Sequence, residues 1–188
     1  VNTTRVYGSA VDPDDLTRVE MQGRSEAHQI MNFYKKEMNG FENAYIAQTS
    51  PTIGIRETRR LVGEYILAGD DIRANRQFPD PIATGAWPID VHPPKGQSGI
   101  HGMYVPGPYQ IPLRSLVPLD IEQLIVGGRC ISLDREALGS ARVGATCCAT
   151  GHAAGVAAAL SVNKSSFIRN LDYQDIRDEL LQQAAILM

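Results

Sequence analysis

The chain has 188 residues, 43% of them hydrophobic and 21% charged, the balance of a globular domain with a core of its own. A net charge of −3 advertises no basic surface, which argues against nucleic acid and anionic membranes as partners. The most apolar stretch, 153–162, reads as a helix core too short to cross a bilayer. Three cysteines, Cys130 and the adjacent Cys147 and Cys148, do not read as a disulfide framework, so reduced thiols are expected. No Cys/His spacing suggests a metal site.

Residues 2–10 are β-prone. Asp12-Pro13 then opens a helix, with an acidic cap and proline in the first turn. Leu16, Val19, Gly23, Ala27, Ile30, Met31 and Tyr34 keep helical spacing to about Met38, and Asn39-Gly40 stops it. The stretches 45–50, 52–57 and 61–67 read as three short strands, the last two close enough to favour antiparallel pairing. Residues 70–76 predict a short capped helical turn. The region 78–118 is rich in proline and glycine, so its strands must be short and irregular.

The character changes after Ile121. Leu124-Ile125-Val126 is a continuous apolar run, the pattern of a strand buried on both faces of a parallel sheet. It stops at Gly127-Gly128-Arg129. A turn is expected over 134–139, then a helix over 144–161. Asp172 with Asp175 caps a last helix, with Ile176, Leu180, Ala184 and Leu187 on one apolar face. A glycine pair at a strand end lets backbone approach a ligand closely, and open α/β sheets bind ligands at the carboxyl ends of their strands. Arg129 falls there. Arg142 precedes a helix whose start is small: Gly144, Ala145, Thr146. The first N–H groups of a helix lack internal partners and carry partial positive charge. The face Gly144, Cys148, Gly151, Gly155 is almost free of side chains.

The segment 124–160, with Gly127 to Ser132, Ala137 to Val143, Thr146-Cys147 and Gly151 to Gly155, resembles the C-terminal flavin motif of a bacterial family of FAD-dependent oxidoreductases in the glutathione-reductase-like superfamily. IPLRSLVP at 111–118, GIRETRR at 54–60 and WPIDVH at 87–92 resemble it too. The resemblance implies an α/β fold in which 1–118 is an antiparallel-sheet substrate-domain portion. Residues 119–188 would supply the closing strand and helix of a Rossmann-like FAD-binding domain. It implies FAD as cofactor, with Gly128 and Arg129 at the ribityl–phosphate portion. Arg142, Val143, Gly144, Ala145 and Thr146 would lie at the pyrimidine edge of the ring. It also implies hydride transfer between an organic small molecule and the flavin. The GxGxxG turn of such proteins is absent from the sequence, so an upstream FAD-binding segment is expected as partner, and the chain alone is expected to be inactive.

Arg56, Arg59 and Arg60 could bind a carboxylated or sugar-acid substrate or simply line a solvated sheet face. Asp90 and His92, two apart, could act as a general base and its orienter or be a polar loop pair. Arg129 and Arg142 could be surface ion-pair residues. A non-enzymatic assembly module using the glycine-rich helix, or a cysteine hydrolase using Cys147 or Cys148, are the rival readings.

Overall fold

The computed structural model describes residues 4–91 and 107–188, and the chain divides into two compact units, Val1–Arg59 and Arg60–Met188. In the first, helix α1 runs Pro13–Glu37, as the capping pattern predicts. The Asp12 carboxylate accepts from the N–H groups of Asp14 and Asp15 at 3.0 and 3.4 Å, and Lys35 and Lys36 sit in the last turn, where the helix dipole favours positive charge. The residues after α1 fold back along it. Arg24 donates to Thr49 Oγ1 and to the Pro51 carbonyl, both at 3.0 Å, while Glu20 accepts the Ile53 N–H at 2.7 Å. Residues 4–9, 45–50 and 52–57 form no strands, a correction to the β reading. Side chains of α1 take up backbone groups of 49–53 that a sheet ladder would have used.

The second unit contains α2 (Gly69–Arg73), β1 (Pro81–Gly85), β2 (Tyr109–Pro112), α3 (Arg135–Ala141), α4 (Gly144–Asn163) and α5 (Tyr173–Gln182). Together with α1 this is a mixed helix and strand fold of the α/β class. β1 and β2 pair antiparallel, with Ala83 opposite Ile111, Thr84 opposite Gln110 and Gly85 opposite Tyr109. Both α4 and α5 pack on β1. Ile82, Ile111, Leu116, Leu138, Ala153, Ile176 and Leu180 close the core beneath them.

The stretch 61–67 is no strand either, beyond isolated bridges from Gly63 to Pro118 and Leu67 to Leu133. It is threaded between two other segments: Leu61 N–H donates to the Cys130 carbonyl at 2.8 Å, Glu64 N–H to Val117 at 3.0 Å, and Leu67 N–H to Ser132 at 3.1 Å. Its backbone groups are satisfied without a neighbouring strand. The expected turn at 134–139 is instead a full helix, α3, because Asp134 caps it through Ala137 N–H at 2.7 Å. The other oxygen of Asp134 accepts Gly69 N–H at 3.0 Å, so one carboxylate starts α3 and fixes the entry to α2. α5 begins at the predicted Asp172 cap, which accepts Gln174 N–H at 2.9 Å. It ends before Ala184, whose φ of 60° leaves only Ile176 and Leu180 of the expected face buried.

The largest departure is at 124–126. This run is extended but belongs to no strand, and Leu124 is 41% exposed. Among the described residues its backbone bonds to a neighbouring segment through Val126 N–H to the Leu116 carbonyl at 2.9 Å, and Ile125 and Val126 pack, partly buried, against the core. α4 matches the helix expected over 144–161; by length and composition alone it is apolar enough to cross a membrane, which the apolar run 153–162 by itself did not suggest. Thr146, Thr150, Ala153, Val156, Ala157 and Ser161 bury one of its faces.

Behind the sheet, Tyr109 donates to Ser140 Oγ at 2.7 Å, and Ser140 donates in turn to the Trp87 carbonyl. Burial pushes the Tyr109 phenol up to about 12, only partly opposed by the Ser140 hydrogen bond. The folded state therefore holds this proton more tightly than the unfolded chain does. The stability it contributes is complete below about pH 10 and is lost as pH rises through about 12. Tyr109→Phe is expected to flatten the loss of stability over that range in urea unfolding, at a cost of about 1 kcal/mol at neutral pH. An unchanged alkaline slope would show that other groups control it.

Candidate functional site

The glycines after the extended run are held against α4 by contact and by one hydrogen bond. A Cβ on Gly127 would lie 2.9 Å from Gly151 Cα and 3.2 Å from the Thr150 carbonyl oxygen. Its φ of −116° suits any residue, so the requirement for glycine here is steric. Gly128 has a φ of 82°, a left-handed conformation that glycine adopts without strain. Its N–H donates to Thr150 Oγ1 at 2.9 Å, and that hydroxyl donates within its own helix to the Thr146 and Cys147 carbonyls, both at 3.1 Å. Arg129 then stands exposed in the turn Gly128–Cys130. Thr150 was not anticipated as a site residue. A threonine inside a helix more often bonds its own backbone, and nothing in its spacing points to Gly128.

The start of α4 has Val143 at its N-cap and no side-chain cap. Gly144 and Ala145 are exposed, while Thr146 is buried. Of the helix glycines, Gly144, Gly151 and Gly155 each face open space: a Cβ would meet nothing within 4 Å. The exposed face of α4 therefore carries few side chains, Cys148 among them, with uncapped N–H groups at one end and Arg129 on the adjoining turn. Such a surface can take a flat group with a polar, electron-rich edge.

Arg142 and Asp90, predicted for different roles from segments far apart in sequence, meet. Arg142 Nη2 donates to Asp90 Oδ2 at 2.9 Å and to the Asp90 carbonyl at 3.0 Å. The side chains are 12% and 28% exposed. Asp90 is placed by its backbone: a Cβ on Gly139 would lie 3.2 Å from the Asp90 carbonyl oxygen and 2.9 Å from Val91 Cγ2. The glycine in α3 thus allows residues 90–91 to lie against it. His92 lies outside the described residues, so its pairing with Asp90 is not seen. Arg56 is half-buried in the first unit, and Arg59 is exposed there.

Other motif residues have structural partners. Arg114, from the 111–118 motif, makes three hydrogen bonds to the Asp80 carboxylate at 3.0–3.1 Å and lies over the Tyr65 ring. Arg76 lies over the same ring and pairs with Asp71 at 3.0 Å. Burial pushes the Cys147 thiol up, a shift the nearby Arg129 charge only opposes. The thiol donates to the Arg142 carbonyl at 3.2 Å. A protonated thiol is a poor nucleophile, which counts against the cysteine-hydrolase reading for Cys147. His152 is hydrogen-bonded to Gln183 at 2.6 Å. Among the described residues no group of acidic, cysteine and histidine side chains could hold a metal ion.

A family model described as FAD dependent oxidoreductase matches residues 1–180. No curated protein and no solved structure matches the chain.

Proposed function

The chain belongs to the FAD dependent oxidoreductase family, and we propose that it forms one wall of the flavin site at the start of α4. Membership implies a flavoprotein redox function. The observation that carries the placement is the glycine-rich face of α4, where a Cβ at Gly144, Gly151 or Gly155 would meet nothing within 4 Å. A flat ring needs that absence of side chains, and an electron-rich ring edge suits uncapped N–H groups.

FAD, when bound, supplies the hydride chemistry, exchanging a hydride with an organic small molecule. The residues of the chain bind and orient. Gly128 and Arg129 hold the ribityl–phosphate portion, where a glycine backbone allows close approach and a guanidinium answers phosphate oxygens. Arg142, Val143, Gly144 and Ala145 border the pyrimidine edge. Negative charge that builds there is favoured by the helix dipole and by exposed N–H groups. Thr146 supports this edge from the buried side. On the substrate side, Arg56 is suited to a carboxylated substrate.

The same proposal extends to the longer protein. Residues 1–118 form the substrate-domain portion, and 119–188 close a Rossmann-like domain of the glutathione-reductase-like kind whose GxGxxG segment lies upstream. The extended, unladdered run at 124–126 supports this, since parallel strands of that pattern are covered by neighbours.

Absorption spectroscopy tests both parts. Protein expressed from the complete reading frame is expected to purify yellow with stoichiometric flavin, and the 188-residue chain colourless. A flavin-free complete protein would defeat the site assignment. A stoichiometric yellow 188-residue chain would defeat the need for an upstream segment.

A further inference from the structure

We draw no further inference here: the strongest candidate, the groove between α4 and α5 lined by Gly151, His152, Gly155, Leu160, Glu179 and Gln183, continues the glycine-rich helix face already described, and nothing in the structure shows what covers it.

Discussion

Gly144→Leu is expected to abolish most flavin retention in the full-length protein while leaving its fold intact. A Cβ at this position meets nothing within 4 Å of the chain, and Gly144 begins α4, where leucine is the better helix former. Neither packing nor helix propensity therefore opposes the substitution in the unliganded protein. A leucine there would occupy the space assigned to the ring edge. Overpacking of a well-fitted site costs about 1–3 kcal/mol, or about one to two decades in affinity. Gly144→Ala, with a single added carbon, should show a smaller loss. Flavin occupancy and thermal unfolding of both variants are the measurements. Graded flavin loss at nearly constant apoprotein stability is the expected result. Equal occupancy in wild type and both variants would remove the ring from this end of α4.

Gly127→Ala should fail in the opposite way, through the fold. The new Cβ would lie 2.9 Å from Gly151 Cα and 3.2 Å from both Gly151 N and the Thr150 carbonyl. These are backbone atoms of a helix and cannot rotate aside as a flexible side chain can. The segment 126–128 must therefore move off α4, which also breaks the Gly128 N–H bond to Thr150. A loss of about 1–3 kcal/mol is expected, the usual range for forcing added carbon into a packed contact. Urea unfolding should show a lower midpoint at unchanged slope. Flavin content should fall with it, because Gly128 and Arg129 move with the segment. Wild-type stability would mean that the turn yields freely and that the close approach has no energetic importance. The two glycines together separate a ligand-facing absence of side chain from a packing-facing one.

Three helices, and the short α2 expected as a capped turn over 70–76, were legible from local chemistry. Asp12 followed by Pro13 marked the start of α1, Asp172 marked α5, and the run of small residues after Val143 marked α4. Each depends on residues within one or two turns of each other, so spacing alone carries the information. The face Gly144, Cys148, Gly151 and Gly155 was legible for the same reason; at Gly127-Gly128 the expected close approach was to a ligand, whereas Gly127 lies against the backbone of α4. Strand positions were not. Runs such as 52–57 and 61–67 have β-prone composition, but a strand exists only where another segment supplies its ladder. Here the backbone of 61–67 found its partners among 114–118 and 130–132, and Leu124 to Val126 found no ladder. α3 was read as a turn because its seven residues are too few to show a helical period. Its cap at Asp134 is tied to Gly69, a contact between distant parts of the chain.

The composition of the candidate site belongs to the sequence by itself: the glycines, the two arginines and the small helix start are local motifs, and they lie within the residues 1–180 that the family model matches. Its wiring was decided only in three dimensions. Asp90 reaches Arg142 because Gly139 admits residues 90–91 against α3, and Thr150 reaches Gly128 because Gly127 admits the turn against α4. In both cases a missing Cβ on one segment sets the distance at which a polar side chain on another can bond. Local spacing reports which residues share a face; how closely two distant backbones approach is settled by the packing of the whole unit.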